Sequence, residues 1–103
     1  MYIITLCGST KFKADFEKVM AEETLNGNIV ISVGLFGHII GLDMNSATKR
    51  MLDKLHFEKI NMSDEIFVIN PGGYIGLSTC DEIHYAKAMG KNIRYLVDPN
   101  CEK

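Results

Sequence analysis

The sequence predicts an α/β fold in which four parallel strands lie between two layers of helices. Short apolar, β-branched segments alternate with amphipathic helical segments along all 103 residues. Strands joined through helices pair in parallel, because right-handed crossovers return the chain in the same direction. The strands lack the polar alternation of a sheet with one wet face, so helices are expected on both faces. We treat residues 1–103 as a single domain, since one domain typically has this size.

The first half of the chain supplies two strands and the helix between them. Residues 2–6 are rich in β-branched and aromatic side chains and end at Gly8, which predicts a buried strand. A helix follows, with apolar residues at the i, i+4, i+7 and i+8 positions counted from Phe12. The pair Asn26-Gly27 ends this helix, and residues 29–33 form the second strand.

The second half alternates in the same way. A second helix is predicted from about Ser46, a plausible N-cap, through Ile60. The third strand covers residues 65–69. The third helix is predicted to begin near Ser78 or Thr79 and to end at a glycine, before a last strand over residues 92–97.

This succession favours the flavodoxin-like (Rossmann-like) three-layer arrangement with strand order 2-1-3-4. Ligands of such sheets bind beyond the carboxyl ends of the strands, where the winding reverses, which here is between the first and third strands. Glycine-rich turns follow those same two strands, at residues 7–10 and 70–76. A small-molecule site at this edge is therefore expected.

The first of these turns runs through Gly8, Ser9 and Thr10 into the first helix. The glycine lets a ligand approach the backbone, and the free amides at a helix start attract anions. An ordinary tight turn with Ser9 as N-cap is the alternative interpretation. The turn is not a Walker A loop, and a Rossmann GxGxxG motif is absent, which removes the main argument for NAD.

The second turn opens the third helix and contains the residue with the clearest chemistry, Glu82. Its glycines and tyrosine can pass close to a ligand; the candidate binding residues here are Gly73, Tyr74, Gly76 and Ser78. The spacing of Thr79 and Glu82 satisfies a capping box, which would make the carboxylate structural. Alternatively, Glu82 acts as a nucleophile or general acid/base in a partly dehydrated cleft.

The cysteines and histidines give weaker signals. Cys80 lies near a helix N-terminus, but no histidine is evidently placed as its base. His38, His56 and His84 lack metal-ligand spacing, so neither a metal nor another cofactor is predicted. His56 falls on or beside the buried stripe of the second helix, as a structural histidine or as part of the site.

An apolar loop with three glycines, Gly34 to Asp43, follows the second strand. It is too apolar for a simple surface connection, which indicates a lid over the cleft or a subunit interface.

Composition excludes several classes of protein. A formal net charge of −2 without a Lys/Arg run argues against a nucleic-acid partner. The longest apolar stretches, such as residues 29–33, are too short for a membrane span, and no leader segment opens the chain. Three widely spaced cysteines without a CxxC pair exclude a disulfide framework and indicate a reducing, cytoplasmic setting.

The early Cys-Gly-Ser turn, combined with a late glutamate segment, resembles the nucleoside 2-deoxyribosyltransferase superfamily. The residues of the late segment that carry the likeness are Gly76, Ser78, Thr79, Glu82, Ile83, Tyr85, Ala86, Gly90 and Lys91. Over nearly its whole length the chain more closely resembles a group of small uncharacterised bacterial and phage proteins, through GSTKF near the start and DEIFVINPGGYIG near residue 70.

The superfamily resemblance implies an enzyme that cleaves the N-glycosidic bond of a nucleoside or nucleoside 5′-monophosphate without a cofactor. Glu82 matches the carboxylate that attacks C1′ of the sugar, and Gly8, Ser9 and Ser78 match residues near the phosphate or base pocket. His56 stands where the superfamily commonly has an acidic, sugar-orienting residue. The transition state would be oxocarbenium-like. A homodimer or higher homo-oligomer is also implied.

Two other classes of function stay open. The segment PGG-x-x-G-x-ST-x-x-E is also similar to the PGGxGTxxE motif of lysine-decarboxylase-like and cytokinin-activating phosphoribohydrolases, whose relatives include nucleotide sensors. This chain would then be a non-catalytic nucleotide-binding module. A phage or mobile-element accessory protein that docks through its apolar loop is the third interpretation.

Overall fold

The structure, a computed structural model, describes residues 1–36 and 45–99, which form a four-stranded parallel sheet flanked by helices. The strands are β1 (Ile3–Gly8), β2 (Ile29–Ile31), β3 (Glu65–Ile69) and β4 (Asn92–Tyr95). The long helices are α1 (Lys13–Leu25), α2 (Ser46–Asn61) and α3 (Leu77–Ala88), and short 3₁₀ turns cover Thr10–Phe12 and Pro71–Gly73.

The sheet has the predicted topology. The strands lie in the order β2-β1-β3-β4, and every neighbouring pair is parallel, so the prediction of an α/β three-layer fold with order 2-1-3-4 is confirmed. The two central strands pair over five residues, from Ile4 opposite Glu65 to Gly8 opposite Ile69. The carboxyl ends of β1 and β3 therefore meet at one edge of the sheet.

Each face of the sheet has its own core cluster. On the first face, Ile4 and Leu6 of β1 pack with Phe16 and Val19 of α1. On the second, Cys7 packs with Ile60 of α2 and with residues of α3. Successive residues of a strand point to opposite faces, which places Cys7 on the side of α2 and α3. This alternation decides which strand side chains lie near the cleft.

Several predicted boundaries are wrong by one or two residues. The edge strands end early: β2 stops at Ile31 rather than at residue 33, and β4 at Tyr95 rather than at residue 97. Strand β1 instead continues two residues beyond its predicted end, because Gly8 still pairs with Ile69. The N-cap of α2 is Asn45 and not Ser46, since its side chain accepts a hydrogen bond from the Thr48 amide at 2.8 Å.

Two of the sequence predictions fall partly outside the described residues. Most of the apolar loop, residues 37–43, lies there together with His38, as does the third cysteine, Cys101. Among the helices of the described residues, none combines the length and the apolar character that crossing a membrane requires.

Candidate functional site

A cleft of about 630 Å³ opens at the carboxyl edge of the sheet, where β1 and β3 meet. Small-molecule sites typically have volumes of about 300–1,000 Å³. Four segments line the cleft: the turn after β1, the segment after β2, one side of α2, and the turn from β3 into α3. The residues are Gly8, Ser9, Thr10, Val33, Gly34, Leu35, Lys49, Leu52, Asp53, Leu55, His56, Lys59, Tyr74, Gly76, Leu77, Ser78, Thr79 and Glu82.

Gly8 fixes the wall formed by the turn after β1. Its φ is +154°, and a Cβ there would lie 2.7 Å from the Ile69 carbonyl oxygen, so only glycine fits. Ser9 follows in extended conformation and caps the 3₁₀ turn, its hydroxyl accepting from the Lys11 amide at 3.4 Å. Ser9 therefore caps the turn, as the alternative interpretation has it, and it also lines the cleft.

Glu82 enters the cleft from the second turn of α3. The helix begins at Leu77, with Gly76 as its N-cap and no side-chain capping bond, so Glu82 is its sixth residue. Thr79 lies within the first turn and is buried, not at the cap. The predicted capping box is therefore wrong, because the extended Gly76 backbone starts the helix too early for Thr79 to cap it.

Glu82 instead joins a buried polar cluster with Cys7 and His56. Nε2 of His56 lies 3.5 Å from Oε1 of Glu82 and 3.3 Å from Sγ of Cys7. The three ligand-type atoms all lie within 4.8 Å of one another. Cys7 is fully buried, and the side chains of His56 and Glu82 are only 11% and 15% exposed. Three segments far apart in the sequence thus place a thiol, an imidazole and a carboxyl side by side.

Burial sets the charge of this cluster. It raises the pKa of Glu82 to about 7, an effect that Asp53 increases and the hydrogen bond with Cys7 reduces. Burial, together with a smaller contribution from nearby Lys59, lowers the pKa of His56 to about 4. At a pH of about 6 the imidazole is neutral and most of the carboxyl is protonated. The 3.5 Å contact between them then joins two neutral groups and is not an ion pair.

The thiol of this cluster is also uncharged. Burial raises the pKa of Cys7 well above its usual value, and the neighbouring Glu82 carboxylate raises it further. A protonated thiol is a weak nucleophile, so Cys7 is not poised for covalent chemistry in the free chain. Cys80, the other cysteine considered, is exposed and does not line the cleft.

Helix α2 brings charged side chains that the sequence analysis missed. Lys49, Asp53 and Lys59 line the cleft beside His56. Lys49 and Asp53 form an ion pair at 3.2 Å, and Lys59 donates to the Ser32 carbonyl at 3.0 Å. Positions 49, 53 and 56 follow helical spacing on one face, which is the signal that could have identified them.

Tyr74 forms part of the rim of the cleft. Tyr74 is 48% exposed as a residue, and the ammonium of Lys11 lies 3.9 Å from the centroid of its ring. Phe12 packs edge-on against the same ring at 5.9 Å. An aromatic ring held by a cation and a second ring offers a defined surface for a planar ligand.

The structure brings nearly all the predicted site residues together. Ser9 and Glu82 line the same cleft, which confirms the prediction that these distant segments share one hollow. The other predicted residues that line it are Gly8, Thr10, His56, Tyr74, Gly76 and Ser78. Gly73 does not line the cleft. It is the last residue of the 3₁₀ turn over residues 71–73, and the chain reaches the cleft only at Tyr74.

Comparisons with known proteins show the fold alone. No protein-family profile matches the sequence, and no curated protein matches it. The structure is similar to the crystal structure of a conserved protein from Enterococcus faecalis V583, with a TM-score of 0.69 and 16% identity. The similarity covers 100% of this chain and 67% of that one.

Proposed function

We propose that the protein cleaves the N-glycosidic bond of a nucleoside or nucleoside 5′-monophosphate, with Glu82 as the nucleophile. The observation that carries this proposal is the position of the Glu82 carboxyl, which lines the cleft and caps no helix. A carboxylate in a partly dehydrated cleft can attack an electrophilic carbon. The resemblance to the nucleoside 2-deoxyribosyltransferase superfamily supports the same residue.

The lining of the cleft suits such a substrate. The hydroxyls of Ser9, Thr10 and Ser78 offer hydrogen bonds to sugar or phosphate oxygens. The half-exposed ring of Tyr74 offers a stacking surface to a base. Aromatic surface with a few placed polar groups is typical of small-molecule sites.

The reaction would proceed in two displacements. The ionised Glu82 carboxylate attacks the anomeric carbon as the bond from that carbon to the base nitrogen breaks, and the base leaves with the bonding electron pair and takes up a proton. The sugar is then held as an ester of Glu82. Water attacks the anomeric carbon, loses a proton and regenerates the carboxylate; a second base in place of water gives transfer.

His56 would act on the reaction through Glu82. Nε2 of its neutral imidazole lies 3.5 Å from Oε1 of the carboxyl, and this contact restricts the orientation of that group. The carboxyl is half ionised at a pH of about 7, so the reactive fraction rises with pH. His56 is thus a positioning residue that acts through its contact with Glu82.

A non-catalytic nucleotide-binding module is the second candidate. The raised pKa of Glu82 favours it, because half of the carboxyl is protonated near neutral pH, whereas a nucleophile works in its ionised form. In this function the cluster would only shape the floor of the binding site. Ligand binding without bond cleavage would be the signature.

Base release separates the two functions. The chain, freed of metal with a chelator, is incubated with ribo- and deoxyribonucleosides and their 5′-monophosphates, and free base is measured by liquid chromatography. Catalysis predicts base release that Glu82→Gln reduces by more than about 100-fold. Glu58→Gln is the matched control, since Glu58 is an exposed carboxylate of α2 that does not line the cleft.

Thermal unfolding on the same panel completes the test. Stabilisation by a nucleotide without any base release would favour the binding module. Base release that persists in Glu82→Gln would contradict the nucleophilic role of Glu82.

A further inference from the structure

We propose that Cys7, His56 and Glu82 form a binding site for a thiophilic divalent transition metal such as Zn²⁺, at the floor of the cleft. Each residue offers one ligand atom of a type that zinc accepts: a thiolate sulfur, an imidazole nitrogen and a carboxylate oxygen. No second group of three such side chains comes as close together within residues 1–36 and 45–99.

Two of the three distances between the ligand atoms fit tetrahedral coordination, and the third pair of atoms lies within 4.8 Å. Zinc bonds of about 2.3 Å to sulfur and about 2.0–2.2 Å to nitrogen and oxygen require ligand atoms about 3.4–3.6 Å apart. The observed distances from Nε2 of His56 are 3.3 Å to Sγ and 3.5 Å to Oε1. A metal could bind between these atoms if each of the two distances changed by a few tenths of an ångström.

The charge balance of the cluster also favours a dication. A Cys7 thiolate and a Glu82 carboxylate carry two negative charges, which neutralise a divalent ion in a region where uncompensated charge is costly. Binding releases the thiol proton, and the carboxyl proton where it is present, to solvent, and it involves no change of oxidation state. A neutral imidazole supplies Nε2 of His56 as a ligand without adding to the charge of the site.

The site is reached from the cleft. His56 and Glu82 line the cleft and Cys7 lies fully buried beneath them. Three protein ligands leave a fourth position, which would face the cleft and accept water or a ligand. A bound metal would also occupy Glu82 and so block its use as a nucleophile; the metal site can exist whether or not the chain is a glycosidase.

Titration with Co²⁺ alone tests the site, because thiolate coordination gives a near-ultraviolet charge-transfer band. We expect one Co²⁺ per chain, with this band. Cys7→Ser should abolish the band and weaken Co²⁺ binding by more than about 100-fold, the upper end of the loss caused by removing an outer-shell partner. Cys80→Ser and His84→Ala, which change exposed residues outside the cleft, should bind Co²⁺ like the parent chain.

X-ray absorption of the Zn²⁺-loaded parent chain gives a second measurement that needs no variant. The proposal requires a sulfur scatterer at about 2.3 Å together with nitrogen or oxygen scatterers at about 2.0–2.2 Å. A shell of nitrogen and oxygen alone would overturn it, as would a charge-transfer band that survives in Cys7→Ser and disappears in Cys80→Ser.

Discussion

Replacing Glu82 by Gln should make the fold more stable as the pH rises, relative to the parent chain. Burial raises the pKa of this carboxyl from 4.5 to about 7, and its side chain is only 15% exposed. Between a pH of about 4.5 and about 7, the folded state therefore holds a proton that the unfolded chain has released. The contribution of Glu82 to the free energy of unfolding is fully present below a pH of about 4.5 and is lost as the pH rises through about 7. Gln cannot ionise and escapes this loss.

The shift corresponds to about 3 kcal/mol, at about 1.4 kcal/mol for each pKa unit. Urea unfolding at several pH values between about 4.5 and about 8, with chelator present, gives the free energy of unfolding of both chains. The free energy of unfolding of Glu82→Gln minus that of the parent chain should rise by about 3 kcal/mol between a pH of about 4.5 and about 8. A difference that stays constant with pH would refute the buried, protonated carboxyl. The control Glu58→Gln should give a constant difference.

His56 masks this effect in the parent chain. Its pKa falls from 6.5 to about 4, so the unfolded chain binds a proton that the folded state does not. That contribution is present above a pH of about 6.5 and is lost as the pH falls through about 4, which opposes the trend of Glu82. The two groups nearly cancel in the parent chain, and a single substitution exposes one of them.

Three further substitutions test the packing that positions the cleft, each followed by urea unfolding. Gly8→Ala should cost about 1–3 kcal/mol through backbone strain and the 2.7 Å clash, whereas Gly34→Ala, whose Cβ would meet nothing within 4 Å, should cost little. Asn70→Ala should cost at least about 1–3 kcal/mol. The fully buried side-chain amide of Asn70 donates a hydrogen bond to the backbone carbonyl of Val97 and accepts one from the backbone N–H of Val97, and the substitution removes both. Arg94→Met should cost about 1–3 kcal/mol, because Glu23 and Glu65 then lose the half-exposed guanidinium that pairs with both of them.

The sequence predicted the sheet well because its signals are local. Strand β3 was predicted with its observed ends, since all five of its residues are buried and a glycine-rich turn follows directly. The parallel pairing followed from the alternation of elements and from the handedness of crossovers, and the order 2-1-3-4 was the arrangement that this succession favoured. The edge strands were predicted two residues too long, because an apolar run does not reveal where the neighbouring strand stops pairing.

The site was predicted in outline only. Glu82 was identified, but the spacing to Thr79 suggested a capping box, and only the extended conformation of Gly76 shows that the helix starts earlier. Cys7 was missed because its contact with His56 joins residues 49 positions apart. No spacing rule within one segment detects such a cluster, although the alternation of β1 places Cys7 on the face of α2 and α3.

Mass spectrometry of the intact chain, quenched with acid during turnover of a deoxynucleoside 5′-monophosphate, tests the nucleophile most directly. The nucleophilic role of Glu82 predicts an added mass equal to the sugar phosphate less one water, found after digestion on the peptide that contains Glu82, and no such adduct in Glu82→Gln. Release of base at an undiminished rate by Glu82→Gln, or an adduct on any other residue, would contradict it.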